Sequence, residues 1–196
     1  MRPVLVSQRV EIIKSCGERR DCLDQNWGGF LLGCGLLPVP VANRGQDIQA
    51  LLDLVRPAGI LLTGGNDLAA YGGDAPERDE TECALIELGV RYDIPIMGVC
   101  RGMQMIAYHF GGKLGVITDH VARRHMLSGA VAREVNSYHN LSVTDIPMNF
   151  EVLARTEDGV VEAIRHIQRR IMAVMWHPER EVPYAADDIA LFKEFY

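Results

Sequence analysis

The strongest constraint on this chain is a junction. The apolar run Pro95 to Val99 stops at Cys100, and a mostly apolar helical pattern begins at once, from Arg101 to Phe110. A run this short with no polar alternation fits a strand covered on both faces. Similar short runs stand at Val4 to Val6, at Leu36 to Val41, whose two prolines place it at a sheet edge, and at Gly59 to Leu62. Helical patterns separate them: Cys22 to Cys34, stopped by Gly33 and Gly35; Asp47 to Val55, with Asp47 as N-cap; and Arg78 to Tyr92. Alternating strand and helix predicts parallel βαβ units. The last third reads differently. Glu151 to Arg155, Val160 to Ile167 and Ile171 to Trp176 predict an antiparallel meander, and Asp187 to Phe195 a closing helix. Ser7 to Arg20 is expected to be a polar loop, and Gly111 to Asn149 to be loop-rich.

The 196 residues are expected to form a single domain, since a chain of this length can bury a core without staples. The net charge of -6 and the absence of a basic stripe argue against nucleic acid as a partner. No apolar stretch is long enough to span a membrane, and the start of the chain carries no signal-peptide pattern. Five cysteines without a C-x-x-C pair fit a reducing cytoplasm rather than disulfides or a zinc site. No metal and no cofactor are expected. Only three of the 20 basic residues are Lys, a bias towards the forked contacts that Arg makes with carboxylate and phosphate.

Gly98-Val99-Cys100-Arg101-Gly102 has the form of a nucleophile elbow, a sharp strand-to-helix turn that pushes one side chain out at the strand's end. Free cysteines are usually small core residues, and Cys16, Cys22, Cys34 and Cys83 are read that way. At Cys100 a helix N-terminus favours the thiolate. His177 is the candidate base and Glu179 the group that orients it. Thr63-Gly64-Gly65-Asn66-Asp67 leaves another strand end, where open α/β sheets bind ligands. The N–H groups of Gly65 and Arg101 are the candidate oxyanion hole.

These segments, with Val135-Asn136-Ser137-Tyr138-His139 and Met175-Trp176-His177-Pro178-Glu179, resemble the class I glutamine amidotransferases, and among them the γ-glutamyl hydrolase branch. The resemblance spans roughly residues 58–180. It implies a three-layer α/β/α flavodoxin-like fold with a mostly parallel sheet and a C-terminal antiparallel extension. It further implies a Cys100-His177-Glu179 triad that opens a γ-glutamyl amide through a glutamyl-thioester. Gly64, Asn66, Gln104 and the Ser137, Tyr138 and His139 segment would bind the glutamyl group. Gly-Asn-Asp after the strand and the segment Asp119 to His125 look closest to hydrolases of γ-glutamyl-CDP-amidate in capsule phosphoramidate synthesis. Arg19, Arg20, Arg123 and Arg124 are then the candidates to hold a diphosphate. Alternatives are a γ-glutamyl-γ-aminobutyrate-type hydrolase and a glutaminase subunit feeding a synthetase. The expected partner is a small γ-glutamyl amide, bound by a monomer or homodimer.

Overall fold

A computed structural model describes all 196 residues. In chain order the strands and helices are β1 (Arg2–Val6), β2 (Arg9–Ile13), β3 (Glu18–Cys22), α1 (Asn26–Gly33), β4 (Leu36–Pro40), α2 (Ile48–Val55), β5 (Gly59–Leu62), α3 (Pro76–Arg91), β6 (Ile96–Val99), α4 (Arg101–His109), β7 (Lys113–Val116), β8 (Val121–Gly129), β9 (Glu134–Tyr138), β10 (Leu141–Asp145), β11 (Phe150–Thr156), β12 (Val161–His166), β13 (Ile171–Val174) and α5 (Ala186–Phe195). Nine strands form one sheet in the order β4-β1-β5-β6-β13-β12-β11-β8-β9. The first five are parallel. From β13 onward each neighbour is antiparallel. No helix is long and apolar enough to cross a membrane.

Two cores follow from the pleat, since successive side chains of a strand point to opposite faces. Leu5, Ile60, Leu62 and Ile96 pack with Ile48 and Leu52 of α2, Leu85 and Ile86 of α3, and Met103 and Ile106 of α4. Val4, Val6, Leu61, Met97 and Val99 pack on the other face with Trp27, Phe30 and Leu31 of α1 and Phe192 of α5. Helices thus cover both faces of the parallel half. Every residue of β5 and β6 is buried, which is why these strands read as unbroken apolar runs. Edge strand β4 accommodates Pro38 and Pro40 because no strand lies beyond it.

The structure corrects four expectations. Ser7 to Arg20 is no loop: β2 and β3 form a hairpin, with Gly17 at φ +70° in its turn. Glu18-Arg19-Arg20-Asp21 has no apolar face, so no alternation marks it as a strand. The Cys22 to Cys34 helix starts only at Asn26, whose N–H donates to the Asp24 carboxylate at 3.0 Å. Gly111 to Asn149 holds four strands: β8 and β9 extend the main sheet, while β7 and β10 pair separately. Most of β8 is exposed, so backbone pairing rather than apolar burial defines it. Asp47 precedes α2, but its side chain makes no capping hydrogen bond.

Candidate active site

The junction after β6 is built by close packing. Cys100 sits at φ +54°, ψ -108°, a backbone conformation that a residue with a side chain rarely adopts. The flanking glycines serve a different end. A Cβ on Gly102 would lie 2.1 Å from the Leu62 carbonyl oxygen, and one on Gly98 would lie 2.7 Å from the Gly102 backbone. Strand β6, helix α4 and β5 therefore approach as closely as backbones allow, and the strained turn falls on Cys100. Its N–H donates to the Val174 carbonyl at 2.7 Å, which ties the turn to β13.

β13 also delivers the histidine. His177 follows it by three residues and is buried. Glu179 Oε1 lies 2.7 Å from His177 Nδ1. The carboxylate accepts that N–H and fixes the tautomer that leaves Nε2 to face the site. Burial, the largest single influence, pushes the His177 pKa down. The nearby Cys100 sulfur and the Glu179 carboxylate outweigh burial and hold it up at about 9. Asn136 grips the His177 backbone in both directions, its Oδ1 accepting from His177 N and its Nδ2 donating to His177 O, each at 2.8 Å. The Tyr138 ring stands edge-on to the imidazole, centroids 5.6 Å apart.

Gly64 lies against both groups. A Cβ there would lie 2.7 Å from His177 Cε1 and 3.6 Å from Cys100 Cβ, so any side chain would push into the imidazole. The Gly64-Gly65 turn is held from behind by Arg78. This fully buried side chain donates to the carbonyls of Thr63 at 2.7 Å, Gly64 at 3.0 Å and Gly65 at 2.8 Å. A trans peptide points its C=O and N–H in opposite directions, so the Gly65 N–H is turned away from the guanidinium. Glu82 neutralises Arg78 at 3.0 Å and also pairs with the buried side chain of Arg101, which Asp79 shares. Burial lowers the Arg78 pKa to about 10 against the pull of Glu82. Arg101 begins α4, where its own N–H is one of the free donors of the first turn.

The remaining expected residues divide. Gln104 is buried one turn into α4 and donates to the Leu141 carbonyl at 2.9 Å, beside Ser137 and His139. Ser137 Oγ donates to the His120 carbonyl at 2.6 Å. Asn66 is already engaged: its amide exchanges hydrogen bonds with Val10 N and O at 2.8 and 3.0 Å, pinning the β2–β3 hairpin. The four arginines read as phosphate ligands do not converge on the site. Arg19 pairs with Glu77, Arg20 with Glu18, Arg124 with Glu134 and Glu181, and Arg123 is exposed on β8. The cleft over His177 and Glu179 is lined instead by Arg9 and Arg180, with Asp24, Trp27, Thr63, Gly64 and Gly65; these two arginines also have carboxylate partners, Glu11 at 2.6 Å and Glu179 at 3.6 Å. Arg180 also stacks on Tyr138, 4.7 Å from the ring centre. A roomier hollow of about 420 Å³ between β4 and α2 lies apart from all these groups.

Sequence reasoning missed Arg9, Arg78, Asn136 and Arg180. The position of Arg180, directly after His-Pro-Glu, is a usable signal. Nothing in the sequence marks Arg78, because its partners are backbone carbonyls.

A strained cysteine at the end of a central parallel strand, facing a buried histidine–glutamate pair from the next strand, defines a class of α/β enzymes with a thiol at the sheet edge. The model of the glutamine amidotransferase class-I family matches residues 31–196. The chain belongs to that family. It is 29% identical to the gamma-glutamyl-CDP-amidate hydrolase of Campylobacter jejuni, over 97% of this chain and 96% of the relative. It is also 29% identical to a subunit of the glutamine-hydrolyzing GMP synthase of Thermococcus kodakarensis, over 76% of this chain and 78% of the relative. Among solved structures, a glutamine amidotransferase of Thermotoga maritima superposes with TM-score 0.68 at 16% identity, covering 98% of this chain and 83% of that one. A Thermoplasma acidophilum structure superposes with TM-score 0.75 at 22% identity, covering 100% and 92%. The fold is thus that of the class I amidotransferases, and the chain is a glutamine amidotransferase-like hydrolase.

Proposed function

We propose that this protein is a free-standing γ-glutamyl amide hydrolase acting through a Cys100-His177-Glu179 triad, and that its substrate is γ-glutamyl-CDP-amidate. The observation that carries the chemistry is the strained Cys100 beside His177, whose Nδ1 is held 2.7 Å from Glu179. The Cys100 thiolate attacks the γ-carbonyl carbon. The oxyanion is received by the N–H groups of Gly65 and Arg101. His177 then protonates the leaving nitrogen as the C–N bond breaks, leaving a glutamyl-thioester. In the second half His177 takes a proton from water. The hydroxide attacks the thioester, glutamate departs, and the thiolate returns. Glu179 holds the imidazole and balances its charge throughout.

Gln104 and the Ser137 to His139 segment bind the glutamyl end. Two supports favour a phosphorylated leaving group. One is the full-length similarity to the Campylobacter jejuni relative. The other is the pair Arg9 and Arg180 at the mouth of the cleft, in place of Arg19, Arg20, Arg123 and Arg124. In a capsule phosphoramidate pathway the products are cytidine diphosphoramidate and glutamate.

The test is a comparison of kcat/KM on γ-glutamyl-CDP-amidate, γ-glutamyl-γ-aminobutyrate and glutamine. A clear preference for the nucleotide conjugate supports the reading. Preference for the γ-aminobutyrate conjugate removes the nucleotide. Glutamine turnover that appears only with a synthetase present replaces the free-standing hydrolase by a glutaminase subunit.

A further inference from the structure

Beneath the segment that would bind the glutamyl group lie three buried titratable side chains with no part in the triad. His120 precedes β8, His139 follows β9, and Glu162 lies on β12. Their ligand atoms all fall within 4.8 Å of one another. His139 Nδ1 lies 3.2 Å from the Leu141 carbonyl, and its Nε2 lies 3.1 Å from Glu162 Oε1. His120 Nε2 lies 3.0 Å from the Asp158 carboxylate, and its Nδ1 lies 3.6 Å from Glu162 Oε1.

Two imidazole nitrogens thus face one carboxylate oxygen in the protein interior. His120 Nδ1 and Glu162 Oε2 are both buried without a hydrogen-bond partner. Such orphans are rare in folded proteins.

We propose that His120, His139 and Glu162 bind one divalent transition ion of the zinc type. An ion at the centre of the cluster accepts both imidazole lone pairs and the carboxylate. Zinc bonds to nitrogen and oxygen of about 2.0–2.1 Å set tetrahedral ligand atoms about 3.3 Å apart. The observed 3.1 and 3.6 Å bracket that spacing. The outer shell is in place as well. Metal-bound histidines donate their second N–H to a carboxylate or a backbone carbonyl, as His120 does to Asp158 and His139 to Leu141. Asp158, the partner of His120, lines a cavity of about 410 Å³ together with Arg124, His125, Met126, Thr156 and Glu157. His125 is stacked on His120, with ring centroids 4.1 Å apart, and water would complete the coordination. The ligands are 19 or more residues apart in sequence, which is why no metal-ligand spacing betrays them.

The ion would fasten the β9–β10 turn to β8 and β12. The role of that turn in binding glutamate rests on the proposed function, but the site itself does not. The test uses the whole chain carrying Cys100→Ala, so that the active-site thiol contributes no metal binding. The protein is stripped with a chelator and titrated with zinc and with cobalt, following bound metal, melting temperature and the visible cobalt spectrum. The expected result is one ion per chain, a melting temperature that rises with the ion, and a cobalt spectrum of nitrogen and oxygen ligands without a thiolate band. Adding His120→Ala or Glu162→Gln should abolish stoichiometric binding. Adding Asp158→Asn should weaken it about tenfold or more through the outer shell. Absence of stoichiometric binding, or binding that survives both ligand substitutions unchanged, overturns the site. If Glu162→Gln does not fold, His120→Ala and the parent cobalt spectrum decide. None of these readings depends on the substrate, so failure of the γ-glutamyl hydrolase reading leaves them intact.

Discussion

The parallel and antiparallel halves of the sheet hold their functional residues by different means. In the parallel half, position is set by exclusion. β5, β6 and α4 meet where Gly98, Gly102 and Gly64 leave no room for a Cβ, and Cys100 takes the strained turn between β6 and α4. In the antiparallel half, position is set by polar pairing. Asn136, Ser137 and His139 sit on or beside β9, and each is held by a specific hydrogen bond rather than by close backbone contact. β13 belongs to both halves, parallel to β6 and antiparallel to β12, and it leads directly to His177. A rigid steric frame suits a nucleophile, which must not move. A hydrogen-bonded frame suits recognition, because single side chains can be exchanged without rebuilding the backbone.

The steric half is broken most sharply at its centre. Cys100→Ala should reduce turnover of a γ-glutamyl amide by about 10⁴-fold or more, with an unchanged fold. An assay beside a melting curve checks both. Wild-type-like rates would remove Cys100 from the mechanism. Next is the seam between the halves. His177→Ala should approach the loss at Cys100, and Glu179→Gln should cost less, about 10²–10⁴-fold in kcat/KM. Equal or reversed losses would mean that another residue orients or replaces His177.

The pH profile sharpens the same contrast. With the His177 pKa at about 9, the imidazolium that protonates the leaving nitrogen is lost as pH rises through that value. kcat/KM should therefore fall on an alkaline limb near pH 9, and Glu179→Gln should move the limb to lower pH. The raised value also means that the charged His177 favours the fold at pH below its ordinary range. That contribution is lost as pH rises from about 6.5 to about 9. An alkaline limb that does not move in Glu179→Gln would assign it to another group.

Arg78→Lys keeps the charge but loses the fork that holds three carbonyls. It should lower kcat about tenfold or more with little change in KM, since a misplaced oxyanion donor affects the transition state alone. A pure KM effect would detach Arg78 from the oxyanion hole. The smallest effects belong to the mouth of the cleft. Arg9→Ala and Arg180→Ala should each lower kcat/KM on γ-glutamyl-CDP-amidate about tenfold or more, as expected for loss of one charge-assisted contact worth about 1.5–3 kcal/mol. An uncharged γ-glutamyl amide should be affected less, and Arg19→Ala and Arg20→Ala should leave both substrates unchanged. Equal effects on both substrates would remove the phosphate from the reading.

The two halves also differ in how far they were legible. β5, β6 and α4 could be read because strands buried on both faces must be written in apolar residues. β3 and β8 could not, because Glu18-Arg19-Arg20-Asp21 and Val121-Ala122-Arg123-Arg124 bury almost nothing and owe their form to backbone pairing. Cys100, His177 and Glu179 could be singled out because the elbow and His-Pro-Glu are local patterns. The arginines could not be sorted in the same way. Whether an arginine reaches the site depends on where the fold places it: Arg9 and Arg180 line the cleft, while Arg19 is turned to Glu77 and Arg124 to Glu134 and Glu181.

The sheet topology makes the recognition half one contiguous block. Strands β7 to β12 occupy residues 113–166 without interruption, leaving the parallel half after α4 and rejoining it at β13. A segment bounded in this way can be exchanged between relatives in a single recombination. Such a graft would carry the turn proposed to bind the glutamyl group with it and leave Cys100, Arg78, Arg9 and Arg180 behind. Preference for the acyl part and for the leaving group would then be inherited separately. The graft must keep Asn136, whose two bonds to His177 are the only side-chain hydrogen bonds from this block to the His177 backbone.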